Sequence, residues 1–562
     1  MRGAPGARRV SFAAAPAPTA LIAPTAPVPG RVVMLVANGV EGDSRVQKAA
    51  WSMAAAGWDV VLLGRAPGPE RREYRLGGAR VVLVPVGSAV SGYERGRSEP
   101  LRRARERRSA YAAARAAVAH LDSLDAPRSR RLRLAAALRR GLAARPGPDG
   151  LLVPLGAGRA AGPVRTAWDG LRGVLDRRGG WRSLNPWFRD LELAFAPVLD
   201  ALVPELVHAH DFHTVGIGAR AAARLGTPGR PVRWVYDAHE YLAGIEVPGR
   251  LDVRGRLRRR MLLGVEREYA GRADAVVTVS EAIADRLAAD HRLLRRPAVV
   301  LNAPLVPAEG EDGTGPGVRE VCGLPPHVPL LLYSGGLAPR RGVATAVRAL
   351  PGLPGVHLVL VARRDDPDAA GLRELARRLG VADRLHTAGY VPPDRVVPYV
   401  ASATAGLVPL LHRPNHELSL ITKYLEYLHA RLPVLCSDVA EMGRTTRALG
   451  VGEVFRAGDA AAFARAVRTL LADPERYRGA YAPGGAAARA LSGWTWPGQA
   501  AVLDGLYAEL TGRRPVPPPG PPGPLRLRPV PPGGGGEPEG AGATGRPRTA
   551  RGPAADVPTV QG

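Results

Sequence analysis

The stretch from Asn415 to Asp438, NHELSLITKYLEYLHARLPVLCSD, gathers side chains with chemistry to offer. Lys423 and Glu426 stand three positions apart, the spacing that brings two side chains together on a helix surface. A helix N-terminus adds its partial positive charge to such a pair. A cation, a carboxylate and a helix N-terminus together suit a phosphate and the hydroxyl pair of a ribose. The plain alternative is an exposed helical ion pair. Tyr424, Leu425 and Leu428 share one helical face, and the apolar run Pro433–Cys436 that follows reads as a buried parallel strand.

Composition sharpens the interest in Lys423. Of 78 basic residues only Lys48 and Lys423 are lysine, and asparagine occurs only at Asn38, Asn185, Asn302 and Asn415. With 68 Gly and 55 Pro this skew suggests a GC-rich coding sequence in which Arg displaces Lys. An ammonium and a planar guanidinium are not interchangeable in a tight site, so a lysine that persists marks a place where an ammonium is needed. Three further stretches carry polar groups at strand ends. Asn38 is followed by Asp43, Ser44, Arg45 and Lys48; His208, His210 and Asp211 form HAHD; Asp237, His239 and Glu240 close YDAHE. His208, His210 and His213 invite a metal reading, but the hydrolase pattern H-x-H-x-D-H needs Asp where Phe212 stands, and no metal is expected.

The elements that must position these residues alternate strand and helix. Arg31–Ala37 reads as a first buried strand, Asn38-Gly39 as a turn, Val46–Ala55 as a helix and Trp58–Leu63 as a second strand. The loop at the carboxyl end of a first strand is where doubly wound sheets bind ligands. No G-x-G-x-x-G is present, so the dinucleotide fingerprint is missing. Residues from about 92 to 185 break the rhythm with Ala/Arg/Leu helices at Arg102–Ala119 and Arg128–Leu142, a basic insertion whose Leu134, Leu138 and Leu142 stripe packs on the domain or meets an anionic membrane. Alternation resumes from Trp187 through strands at Leu206–Ala209, Arg233–Tyr236, Ala275–Val279 and Val299–Asn302. A second series begins with Pro329–Tyr333, followed by Ser334-Gly335-Gly336 and Arg340-Arg341-Gly342. The divisions are 1–29 as a disordered tail, 30–304 as a first domain, 305–327 as a linker, 328–475 as a second domain, 476–512 as a helical segment and 513–562 as a disordered Pro/Gly-rich tail. Two α/β halves on one linker imply a ligand cleft between them.

Length allows two or three domains with sizeable cores. The net charge of +27 favours anionic partners, yet no zinc-finger spacing or RNA-binding aromatic signature accompanies it, so nucleic acid is an unlikely partner. Cys322 and Cys436 alone make no disulfide framework and fit a reducing compartment. No apolar run reaches the roughly 18–20 residues of a membrane span. The expected location is cytoplasmic, with a peripheral seat on the inner face of the plasma membrane as the extension suggested by the basic insertion.

Six short stretches in order resemble the GT-B glycosyltransferases of the family 4 type, over roughly 31–90 and 186–510: DSRVQK at 43–48, HAHD at 208–211, YDAHE at 236–240, VVTVSEAIADRL at 276–287, GGLAPRRG at 335–342 and TKYLEYLHARLPVLCSD at 422–438. The resemblance implies an α/β GT-B fold, two Rossmann-like domains facing a central cleft, with the nucleotide-sugar on the second and the acceptor on the first. It implies a retaining enzyme of the hexosyltransferase type that needs no metal and no cofactor. Glu426 matches the carboxylate that binds ribose hydroxyls, and His239 the histidine facing the reacting sugar, with a core histidine satisfied by Asp237 as the alternative. Family members often carry another Glu where this chain has Leu418, and Glu417 is the candidate substitute. They also place two basic residues in the first loop of the second half, where this chain has Gly336 and Arg341, so the diphosphate is expected to rest on Arg341 and Lys423 with Arg340 nearby. His239, Arg341 and Lys423 are thus expected at the reacting centre. Gly335, Gly336, Arg341, Glu417, Lys423 and Glu426 are expected at the donor, and Asn38, Asp43, Ser44, Arg45, His210 and Asp211 at a hydroxyl acceptor, lipid-linked or not. The rival readings are a nucleotide-sugar epimerase of the same architecture and a membrane-surface scaffold on a degenerate frame.

Overall fold

The computed structural model describes residues 28–91, 187–245, 253–306, 315–362, 366–518, 525 and 527–528. The basic insertion, the first 27 residues, part of the 305–327 linker and most of the chain beyond 518 lie outside the described residues. The first half folds on an eight-stranded sheet: β1 (Arg31–Leu35), β2 (Asp59–Arg65), β3 (Arg72–Leu76), β4 (Ala79–Val84), β5 (Leu206–His210), β6 (Arg233–Ala238), β7 (Ala275–Thr278) and β8 (Ala298–Val299). The spatial order is β3-β4-β2-β1-β5-β6-β7-β8, parallel except for the β3–β4 hairpin. Every residue of RVVML in β1 and LVHAH in β5 is buried, as expected of central strands covered on both faces. The hairpin is an element the alternation pattern did not reveal. Its β3, REYRL, is a charged and largely exposed edge strand, turned at Gly77, whose φ is +58°.

Helices cover both faces: α1 (Ser44–Ala55), α2 (Trp187–Leu202), α3 (Asp211–Leu225), α4 (Val253–Tyr269) and α5 (Glu281–His291). Asp43 caps α1 by accepting from the Val46 amide at 3.2 Å, and Ser280 caps α5 through the Ile283 amide at 3.2 Å. The direction of winding reverses between β1 and β5, so the loops after these two strands diverge and leave a crevice at their carboxyl ends.

The second half repeats the plan with β9 (Leu330–Ser334), β10 (His357–Val361), β11 (Leu385–Ala388), β12 (Ala405–Val408), β13 (Val434–Ser437) and β14 (Gly452–Phe455), all parallel in the order β11-β10-β9-β12-β13-β14. Here the reversal falls between β9 and β12. Helix α6 (Val343–Ala349) follows β9, and α7 (Pro414–Leu418) and α8 (Thr422–His429) lead from β12 to β13. Helix α9 (Ala440–Leu449) joins β13 to β14. The loop after β9 is pressed onto the end of β12: Gly342 has φ +72°, and a Cβ there would lie 1.9 Å from the Pro409 carbonyl oxygen. Only glycine satisfies both conditions.

The last helix, α10 (Trp496–Thr511), returns to the first domain and packs along α1. Trp496 Nε1 donates to Ser52 Oγ at 2.9 Å, Trp58 Nε1 to Asp504 at 2.7 Å, and the Leu301 amide to Gln499 at 2.7 Å. At its described residues the C-terminal tail is seated rather than free. The Arg528 carbonyl accepts from the Gly42 amide at 2.9 Å and from Gln47 at 3.0 Å, while its amide donates to Gln47 Oε1 at 2.7 Å.

Candidate functional site

The two crevices hold most of the residues singled out by type and spacing. In the second domain, α8 begins beside the loop after β9. Lys423 Nζ lies 3.3 Å from Glu426 Oε1, and the two side chains are 33% and 3% exposed. This pair is therefore no solvated surface contact. The Lys423 stem runs past Gly335, whose φ of +130° turns the backbone away and leaves 3.7 Å to the lysine carbons. Burial pushes the Glu426 carboxyl up, against the opposing pull of Lys423 and Lys48. Its Oε2 is buried with no hydrogen-bond partner among the described residues. Such an oxygen is costly unless a ligand supplies a donor, and a ribose hydroxyl is such a donor.

Gly336 gives its carbonyl to Tyr333, at 2.7 Å from the hydroxyl, and shapes the loop. Arg341 closes the short 3₁₀ turn Pro339–Arg341 and, with Arg340, lies within electrostatic reach of Glu240 on the first domain. Burial pushes the Glu240 carboxyl up and nearby Asp211 adds to the effect, while the two arginines oppose it. Glu417 goes elsewhere than expected. Its Oε2 accepts from the Ala440 amide at 2.7 Å at the start of α9, and its Oε1 pairs with His412 at 2.7 Å. Each carboxylate oxygen thus has one partner within the second domain. Leu418 instead packs on the core of the first domain and its carbonyl accepts from Ser280 Oγ at 2.7 Å.

In the first domain the crevice is underlain by a buried polar network. Arg45 grips Asp237 with two contacts, 3.0 and 2.8 Å, and donates to the Val300 carbonyl at 2.7 Å. Expected at the acceptor, Arg45 is only 5% exposed and fully engaged below the crevice. Asp237 Oδ2 also lies 3.0 Å from His210 Nδ1 and 3.4 Å from His239 Nε2. His208 stacks on His210 at 4.1 Å between ring centroids, and its Nδ1 bonds the Tyr507 hydroxyl of α10. Burial would raise the Asp237 carboxyl, but Arg45 and the histidines hold it well below the usual carboxylate range. Burial and the neighbouring His208 push His210 down to about 3, so it stays neutral. For His239, one-fifth exposed, burial acts downward, yet the Asp237 carboxylate prevails and raises it. His239 is thus paired with Asp237 and still one-fifth exposed, which leaves both readings of it open.

Asn38 and Asp43 build the loop above: Asn38 Nδ2 donates to Asp43 at 2.8 Å and its Oδ1 accepts from the Val40 amide at 2.8 Å. Val40, with φ of +70°, and Asp211, with φ of +63°, are strained non-glycine positions, and both sit on the rim where β1 and β5 end. Asp211 Oδ2 faces His213 at 3.3 Å, and Ser44 is half-buried at the first position of α1. Glu240 and Lys48 stood among the strand-end polar groups of the sequence without an assigned role, and the rarity of lysine singled out the latter.

His208, His210 and Asp237 carry ligand-type atoms within 4.8 Å of one another. They fit a cation poorly, since the Arg45 guanidinium already holds both Asp237 oxygens and would repel it.

Two doubly wound domains with polar groups gathered at both switch points define the GT-B class of fold. The comparisons agree. A family profile described as glycosyl transferases group 1 matches residues 328–473, and one described as glycosyltransferase family 4 matches residues 133–303. The chain belongs to the family 4, group 1 glycosyltransferases. It is similar to 2-deoxystreptamine N-acetyl-D-glucosaminyltransferase of Streptomyces fradiae, 28% identical over 52% of this chain and 68% of the relative. It is also similar to D-inositol 3-phosphate glycosyltransferase of Acidothermus cellulolyticus, 34% identical over 30% of this chain and 40% of the relative. The chain thus spans about two thirds of the first and less than half of the second. Sucrose-phosphate synthase from Thermosynechococcus elongatus shares the fold, with a TM-score of 0.56 at 16% identity over 86% of this chain and 99% of that one. Among the described residues no helix is long and apolar enough to cross a membrane.

Proposed function

We propose that this chain transfers a sugar from a nucleoside-diphosphate sugar to an acceptor hydroxyl with retention of anomeric configuration, without a metal. The observation that carries the reading is the Lys423–Glu426 pair, in which Glu426 is buried and its Oε2 unpartnered, placed where the second sheet changes direction. Glu426 accepts from the ribose hydroxyls, while Lys423 and Arg341 neutralise the diphosphate as negative charge grows on the leaving group. His239, whose pKa Asp237 raises against the effect of burial, donates toward the transferred sugar or its phosphate. The leaving diphosphate itself takes the acceptor proton, so the protein contributes position and charge.

Asp211 and Glu240 offer carboxylates on the acceptor side. The two curated relatives are named for 2-deoxystreptamine and D-inositol 3-phosphate, both polyhydroxylated six-membered rings, and such a ring is the acceptor class we favour. The setting is cell-envelope polysaccharide, glycolipid or secondary-metabolite synthesis on the cytoplasmic side, with the membrane surface as a seat for the basic insertion.

The test is thermal shift and calorimetry with UDP, GDP and their sugars, on wild type and Glu426→Ala. A nucleotide diphosphate at about 100 times its Kd adds roughly 2.7 kcal/mol of stability, read as a raised midpoint in wild type and a clearly smaller rise in the variant. The anomeric configuration of the product, read by NMR, decides retention. Turnover of nucleotide-sugar with no acceptor present turns the assignment to an epimerase, and absence of any binding turns it to a scaffold.

A further inference from the structure

Lys48 is one of two lysines in the chain, and both lie at the junction of the two domains. It sits on α1, 2% exposed, with its ammonium turned away from solvent. Nζ donates to Asn302 Oδ1 at 2.9 Å and to the Ala303 carbonyl at 2.5 Å, and stands 4.4 Å from the centre of the Trp496 ring. These partners belong to the two places where the chain passes between the domains. Asn302 and Ala303 are where it leaves the first domain after β8, and Trp496 opens the helix that brings it back. One ammonium therefore touches both crossings at once.

The charges facing Lys48 come from both domains. Arg45 and Asp43 lie on its own side, and Lys423 and Glu426 face it from α8. Burial, helped by Arg45, brings its pKa down to about 7. Two oxygens and an aromatic face around a single nitrogen suit the compact ammonium. A guanidinium would need a planar fork of acceptors and about two more heavy atoms of room.

We propose that Lys48 is a positioning residue that ties both interdomain crossings to the acceptor-side helix, so that the Glu426 edge and the loop ahead of α1 approach in one fixed relation. The proposal rests on the glycosyltransferase reading for its catalytic consequence, but its structural content stands apart from that reading. Lys48 has no place in donor contact here. Its loss leaves nucleotide affinity nearly unchanged and lowers turnover, because the two substrates no longer meet in the productive arrangement.

The experiment compares wild type, Lys48→Arg and Lys48→Met in the full chain, in a Cys322→Ser background with spin labels at Arg75→Cys and Arg378→Cys, both exposed positions in opposite domains. Folding is checked first by circular dichroism, and the charge-keeping Lys48→Arg serves if Lys48→Met fails to fold. The expected result is a broadened interdomain distance distribution in both variants, a Kd for the nucleotide diphosphate within about threefold of wild type, and kcat lower by at least about tenfold. Variants that keep the wild-type distance distribution and kcat overturn the proposal, as does a loss confined to nucleotide affinity. If wild type binds no nucleotide, the donor reading fails while the distance measurement still decides the role of Lys48.

Discussion

The two switch points of this molecule are built from the same strand arrangement and finished differently. Below the first, the charged groups are paired with one another: Arg45 holds Asp237, and Asp237 holds His210 and His239, while His208 Nε2 and His210 Nε2 are left buried without a hydrogen-bond partner among the described residues. At the second, Glu426 keeps a buried oxygen without a partner. A carboxylate gripped by a two-point guanidinium contact is held in one geometry, whereas a carboxylate oxygen with no partner can accept from a donor outside. The first crevice is thus braced from beneath by a held carboxylate, and the second keeps a buried acceptor oxygen free.

Removing a member from each side separates these characters. Asp237→Ala leaves Arg45 as a buried charge without its carboxylate and is expected to cost about 3–5 kcal/mol of stability, read from urea unfolding. An unchanged midpoint would mean the network is not the scaffold of the first crevice. Glu426→Ala is expected to change folding stability far less and to weaken nucleotide binding by at least about tenfold, the loss of a charge-assisted contact, measured by calorimetry. Gly342→Ala forces a Cβ against the Pro409 carbonyl in a left-handed backbone conformation, and about 1–3 kcal/mol of stability should go, with loss of nucleotide binding as the loop shifts.

The comparison also has a pH signature. His239 has its folded pKa raised by Asp237, so its contribution to stability is fully present below the unfolded value of about 6.5 and is lost as pH rises through the folded value. The Tm difference between wild type and His239→Gln should therefore be larger at pH 5.5 than at pH 8.5, and a reversed order would place the charge elsewhere. The smallest effect is expected from Arg528→Ala, which removes a guanidinium 3.9 Å from the Tyr74 ring while keeping the backbone bonds to Gln47. About 0.5–1 kcal/mol should be lost, and the donor site should not notice.

Much of this was legible in the order of residues. Apolar runs such as RVVML and LVHAH mark central parallel strands because both faces must be buried, and Asp43 and Ser280 mark helix starts because their oxygens satisfy free amides. Lys423 and Glu426 were readable as a pair because helical spacing is local. Strand β3 escaped notice because an edge strand carries charges where a central one carries valine; β4, ARVVLV, has the usual apolar run and went unplaced only for want of a helix ahead of it in the chain. The surroundings of Glu417 were not legible in the sequence either. One residue of offset on a helix turns a side chain by about 100°, and here it turns toward α9.

Sequence alone settled the repeated α/β plan, the strand ends that carry polar groups and the scarcity that singles out two lysines. Only the tertiary structure decided what those groups face. Arg45 meets Asp237 across 192 positions, Lys48 meets Asn302 across 254 and His208 meets Tyr507 across 299. Such pairings depend on which strands lie side by side and where the last helix returns, and no local pattern encodes them. The chain writes each partner into a separate element, and burial of both in one core makes them partners.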